Sequence, residues 1–159
     1  MDTNIIIEAF RTRCWKALCG HFAIETVETC FQEALAGDPL RPGYVTVDAK
    51  DLIVGLKARH AVSELERIQL NLQLPAAATL DAGERDLLAH GLGRSDAWIV
   101  SCADRAGVNA ALALGWEPRV VSLEKLAKAV GTKPALKGHF GEAWLSQVRT
   151  DHLLGGRLP

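Results

Sequence analysis

The 159-residue sequence predicts an α/β fold: a three-layer α/β/α sandwich around a short, mostly parallel central sheet. Three observations predict it. Short β-branched or aromatic runs at 21–27 ("HFAIETV"), 97–102 ("AWIVSC") and 118–122 ("PRVVS") are each followed by a helical pattern. Strands that alternate with helices imply crossover units and a parallel sheet covered on both faces. The length suits one core, since domains typically hold roughly 100–150 residues, and 48% hydrophobic with 23% charged residues suits a soluble globule.

The elements follow in order. Residues 3–19 place Ile6, Ile7, Phe10, Cys14, Trp15 and Leu18 at helical spacing and stop at Gly20, which predicts a first helix. The strand at 21–27 runs into a helix over 28–37 that turns Cys30, Phe31, Ala34 and Leu35 inward and ends at Gly37. Two prolines and a glycine make 38–47 a connection. Helices are predicted over 48–61 and 63–73, the second opened by the capping-box pattern Ser63-x-x-Glu66. After a loop around Pro75, a helix over 80–93 opens with the box-like Asp81-x-x-Glu84. The run 97–102 reads as a buried strand, 104–115 as an alanine-rich helix closed by Gly115, 118–122 as a short strand and 123–131 as its helix. Residues 1–131 thus form the α/β domain. Residues 132–159 add a helical extension, amphipathic through Phe140, Trp144, Leu145, Val148 and His152, packed on the domain or on a partner.

A net charge of −1 and a pI near 6.5 advertise no overall basic field for nucleic acid. A polyanion would be held by a local patch or through metal ions. Arg11, Arg13 and Lys16 can share one helix face and Arg41, Lys50, Lys57 and Arg59 another, although most such clusters are only solvated faces. No apolar run approaches the roughly 20 residues that span a bilayer, and no basic segment leads an apolar stretch with a cleavage site. The expected location is the cytoplasm, without a membrane partner. Cys14, Cys19, Cys30 and Cys102 form no C-x-x-C pair and no zinc spacing, so free thiols are expected.

The chemistry lies in the acids. In an open parallel sheet, ligands bind at the carboxyl ends of the strands. Asp2 stands where a first strand would end, Glu33 lies in the helix after 21–27, Glu84 in the first turn of its helix, and Asp104 just after 97–102. Taken singly, Asp2 and Asp104 read as N-caps, Glu84 as half of a capping box and Glu33 as an exposed helix residue. Taken together, acids gathered at one edge would repel one another and raise each other's pKa. A hard divalent cation relieves that repulsion, and a set without His or Cys points to Mg²⁺ or Mn²⁺ rather than zinc.

The ordered set "DTN", an acid after the second strand, "LDAGERDLLAHGLG" and "WIVSCADRAGVNAALALGW" resembles the PIN-domain family of metal-dependent ribonucleases over about residues 2–130. The resemblance implies that Asp2, Glu33, Glu84 and Asp104 are the metal-binding and catalytic acids, with Thr3 and Asn4 holding the first turn. Glu28 is the alternative to Glu33 and Asp86 the weaker alternative to Glu84, while Cys102 replaces the usual hydroxyl of the T-x-D motif. The implied activity is Mg²⁺- or Mn²⁺-dependent cleavage of single-stranded RNA, with Arg11, Arg105 and Trp98 as candidates for RNA contact. The implied setting is the toxin of a toxin–antitoxin pair, which adds an antitoxin protein and a second copy of the chain as partners. A catalytically silent PIN-like module that binds RNA or protein is the alternative function. A nucleotide-binding α/β protein ranks low, because no Gly-rich phosphate loop follows a strand. The family has several apolar strand residues before the first acid where this sequence has Met1, so an apolar extension ahead of Met1 is expected to raise stability and tighten Mn²⁺ binding.

Overall fold

The computed structural model describes residues 1–37, 39–40 and 43–155; Arg41 and the last four residues of the predicted extension lie outside the described residues. The fold is α/β, mostly helical, with a two-stranded parallel sheet. In chain order the elements are α1 (Thr3–Arg11), α2 (Trp15–Cys19), β1 (Glu25–Val27), α3 (Glu28–Leu35), α4 (Ala49–Gly55), β2 (Ala58–His60), α5 (Glu64–Gln73), α6 (Ala82–Leu92), α7 (Arg105–Ala113), α8 (Leu123–Ala129) and α9 (Glu142–Leu153). Short 3₁₀ turns occur at Pro75–Thr79, Glu117–Arg119 and Gly138–Phe140.

Several boundaries differ from the sequence-based expectation. The helix expected over 3–19 breaks after Arg11. There the Thr12 hydroxyl donates back to the Glu8 carbonyl at 2.7 Å, and Arg13 takes a left-handed φ of 60°, which redirects the chain into α2. The helix expected over 48–61 ends at Gly55, and its last residues form β2 instead. Thr26 of β1 lies opposite Arg59 of β2, a register that side-chain polarity does not announce, because β2 is only partly covered. The strand expected over 21–27 keeps only 25–27. Those expected over 97–102 and 118–122 reduce to one parallel bridge, Val100 to Val120. The Ser63–Glu66 box forms in both directions, whereas Asp81 makes no side-chain cap, so Glu84 is not half of a box.

Two apolar clusters build the core. Ile5, Ile6, Leu18, Leu52 and Leu123 join α1, α2, α4 and α8, while Leu88, Val108, Leu112, Leu145 and Val148 join α6, α7 and α9. The C-terminal helix therefore packs on this chain, with Leu145 and Val148 against α7. Arg149 donates to the carbonyls of Glu117 (3.0 Å) and Val120 (2.7 Å), and the Ser122 hydroxyl donates to Glu142. Among the described residues, no helix is long and apolar enough to cross a membrane.

The two clusters meet at the first two residues. The Met1 ammonium donates to the Glu25 carbonyl at 2.8 Å, the Thr26 hydroxyl donates to the Met1 carbonyl at 2.7 Å, and the Asp2 N–H donates to the Ser101 carbonyl at 3.1 Å. Met1 and Asp2 thus bridge β1 to the segment that carries the Val100–Val120 pairing. Since Leu145 is 3% exposed and fills the second cluster, Leu145→Ala should lower unfolding free energy by about 2–5 kcal/mol, and Ser63→Ala by about 1 kcal/mol. Urea denaturation of the two variants should rank them in that order.

Candidate functional site

Four chain segments deliver carboxyl groups to the junction at Met1–Asp2. Asp2 caps α1: its side chain accepts the Asn4 N–H at 3.3 Å while its own N–H is held by Ser101, and only 2% of the residue is exposed. Asp104 caps α7 by accepting the Ala106 N–H at 2.7 Å. Both acids therefore do what an N-cap does, and the negative fields of both reach Glu84. Glu33, from the last turn of α3, is fixed by Thr3, whose hydroxyl donates to Oε2 at 2.7 Å. Glu84, in the first turn of α6, is buried beside Cys102, with 3.9 Å from Sγ to Oε1.

Two glycines let the helices approach this closely. A Cβ on Gly83 would sit 2.5 Å from Glu33 Oε2, and one on Gly107 would sit 3.0 Å from Glu84 Oε1 and 2.9 Å from Cys102 Sγ. The first contact brings the start of α6 against Glu33, and the second brings the start of α7 against Glu84.

The electrostatics report the same convergence. The Glu84 carboxyl is pushed up to about 8, first by burial and then by the negative fields of Asp104, Asp2 and Asp81. Asp2 is pushed up to about 6 by burial; the Met1 ammonium and the backbone N–H groups of Thr3 and Asn4 oppose this, and the field of Glu33 adds to it. Burial also raises the Cys102 and Cys30 thiols, with Asp2 adding to both. All four cysteines are free, and neither thiol at the cluster is a ready thiolate.

Asp2, Glu33, Glu84 and Asp104 are therefore brought into one electrostatically coupled group, with Asp81 beside it. The alternatives are drawn elsewhere. Glu28 pairs with Arg59 at 2.8 Å and accepts from Gln32 on a half-exposed face. Asp86 is buried, which would raise its pKa, yet Arg67 donates to both its oxygens (2.7 and 2.9 Å) and Thr29 donates at 2.5 Å, and the net shift is downward. The residues expected to contact RNA also carry internal bonds. Arg11 grips Glu8 and the Ala135 carbonyl, Arg105 pairs with Asp151 at 2.8 Å, and Trp98 packs edge-on against Trp116 under Arg119.

A second ionisable group was not marked by the sequence. Glu25 of β1, His60 of β2 and His90 of α6 offer ligand atoms within 4.8 Å of one another. Here a basic residue already supplies the countercharge, because Arg94 donates to Glu25 Oε2 at 2.5 Å and His60 lies 2.9 Å from the same oxygen. No local spacing reveals this group, which exists only because β1 pairs with β2 and α6 crosses them. In comparisons with protein-family models, curated proteins and solved structures, the chain had no significant match.

A carboxyl whose pKa is higher in the folded than in the unfolded chain keeps its proton longer when folded. It therefore stabilises the fold below its folded pKa and loses that contribution as pH rises toward it. With ordinary values of 3.8 for Asp2 and 4.5 for Glu84 and folded values of about 6 and about 8, metal-free protein should lose stability from roughly pH 4 to pH 8. Melting temperatures across that range in EDTA should fall with pH, and Glu84→Gln should remove most of the fall between pH 6 and 8.

Proposed function

We propose that the chain is a Mg²⁺- or Mn²⁺-dependent endoribonuclease that cleaves single-stranded RNA, built as a PIN-like three-layer domain. The observation that carries this reading is the meeting of Asp2, Glu33, Glu84 and Asp104, from four distant segments, in a group where burial and then the negative fields of their neighbours raise the Asp2 and Glu84 carboxyls. Repulsion of this kind destabilises a protein that has no use for it, and the donor set of carboxylate oxygens fits a hard divalent cation. Asp2, Glu33, Glu84 and Asp104 would hold the ion. When bound, it supplies a Lewis-acid centre that acidifies water and offsets charge on the phosphate.

The chain's own residues set up the rest. Thr3 orients Glu33, the Ser101 carbonyl holds the backbone of Asp2, and the cap bond to Ala106 fixes Asp104. The glycines at 83 and 107 keep room for the carboxyl groups at the helix starts. The finer architecture proposed is a parallel sheet ordered β2, β1, Met1–Asp2, Val100 and Val120, with helices on both faces. The bridging hydrogen bonds of Met1 and Asp2 and the parallel Val100–Val120 pair support it. A role as the toxin of a toxin–antitoxin pair, with an antitoxin protein as partner, follows from the family resemblance.

Calorimetric titration with Mn²⁺ and cleavage of a labelled single-stranded RNA test the reading together. The native chain should bind Mn²⁺ and cleave in Mg²⁺ but not in EDTA. Asp104→Asn and Glu84→Gln should each lose at least about tenfold in Mn²⁺ affinity and about a hundredfold in cleavage, whereas Glu28→Gln should lose neither. Mn²⁺ binding and RNA binding without cleavage would instead identify the catalytically silent module.

A further inference from the structure

Glu25 of β1, His60 of β2 and His90 of α6 are the ionisable group that the proposed nuclease chemistry leaves unused. One nitrogen or oxygen from each lies within 4.8 Å of the other two, and all three residues line an open groove of about 350 Å³. The fold brings them together. Glu25 lies opposite Ala58, two residues before His60, so the Glu25 and His60 side chains leave the sheet on the same face, and α6 packs against β1 with His90 in its last turn.

The hydrogen bonds around the group point to a missing ligand. His90 Nε2 is buried without a hydrogen-bond partner, while Nδ1 of the same ring stands 3.8 Å from Glu66 Oε1. A buried polar atom in that state calls for a partner, whether water or ion. A proton on Nδ1, facing Glu66, leaves the Nε2 lone pair free, which is how a metal-bound imidazole stands in front of a supporting carboxylate. His60 stacks on His90 with ring centroids 4.1 Å apart, and its Nε2 lies 2.9 Å from Glu25 Oε2. Ligand atoms around a tetrahedral zinc ion stand about 3.4 Å apart, so small tilts of the two rings bring the set onto one ion. Arg94 and His60 both meet Glu25 at Oε2, and an ion can take the other oxygen, Oε1.

Charge favours a cation as well. Glu25, Glu66 and Asp96 bring three carboxylates to the two imidazoles, against the single guanidinium of Arg94. Two imidazole nitrogens with one carboxylate oxygen suit a borderline cation such as Zn²⁺, whereas the all-carboxylate set around Asp2 suits a harder one. We propose that Glu25, His60 and His90 bind Zn²⁺ on the wall of the groove, with a water from the groove as fourth ligand and Glu66 holding the His90 ring from behind. The ion clips β1, β2 and α6 together. Its site is separate from the one proposed for Mg²⁺ or Mn²⁺ and does not depend on it.

The test is calorimetric titration of the full chain with Zn²⁺ in excess Mg²⁺, joined to thermal melting and to the visible spectrum of the Co²⁺-loaded protein. The native chain should bind Zn²⁺ and melt at least about 5 °C higher when Zn²⁺ is in about hundredfold excess over its dissociation constant. Co²⁺ in its place should show the absorption of a four-coordinate site. His60→Gln and His90→Gln, which keep a polar side chain there, should each weaken Zn²⁺ at least about a hundredfold and abolish the Co²⁺ bands, and Glu66→Gln should weaken it about tenfold. Glu84→Gln and Asp104→Asn should leave zinc affinity unchanged. A folded native chain that takes up no Zn²⁺ overturns the proposal. So does zinc affinity that falls in Glu84→Gln or Asp104→Asn and survives in the two His variants, since the ion then sits among the carboxylates.

Discussion

Three hydrogen bonds made by two residues hold the architecture together: Met1 to the Glu25 carbonyl, Thr26 to the Met1 carbonyl, and Asp2 to the Ser101 carbonyl. They join β1 to the segment that pairs with Val120, and so join the cluster under α1 and α8 to the one between α7 and α9. The same two residues start α1 and supply the first carboxyl of the candidate site. The position of Asp2 relative to Glu33, Glu84 and Asp104 is thus a backbone property, set by the same bonds that close the fold.

Helix α6 shows how one element can hold two buried acids with opposite consequences. Glu84 and Asp86 are two residues apart, so they point to different sides of the helix. Asp86 meets Arg67 and Thr29, and its charge is compensated inside the protein. Glu84 meets Asp104, Asp2 and Asp81, and its charge is opposed. A buried acid with a matched base is a structural device, since breaking such a pair leaves an uncompensated charge. A buried acid facing other acids has no such explanation, and perturbed groups of that kind concentrate at functional sites.

A groove of about 350 Å³ between residues 22–26 and 97–101 is lined in part by Glu25, His60, His90 and Arg94. Arg94 and His60 converge on one Glu25 oxygen, tying β1 to β2 and to the end of α6. These ties keep the bank formed by β1 in place although little backbone pairing reaches it from the groove side.

Much of the candidate site was legible in the sequence, because the acids follow segments of strand composition or open helices, and in an α/β chain those positions converge by topology. The Ser63–Glu66 box and the apolar faces of α3 and α9 were legible for a similar reason, since their determinants lie within one or two turns, whereas α1 buries Ile5, Ile6 and Ala9 and leaves the expected Ile7 and Phe10 only partly covered. The break at Thr12–Cys14 was not, because it depends on a hydroxyl turning back on the Glu8 carbonyl and on one left-handed residue. Nor was β2, whose residues have no strand pattern and acquire extended form by pairing with β1. That Glu28 and Asp86 are ion-paired while Glu33 and Glu84 are not depends on Arg59 and Arg67, residues from other elements. By itself the sequence determined residue types, caps and helical faces, which are short-range properties of the chain. Only the tertiary structure decided which charges are compensated and which are left facing one another, because that depends on packing between segments far apart in sequence.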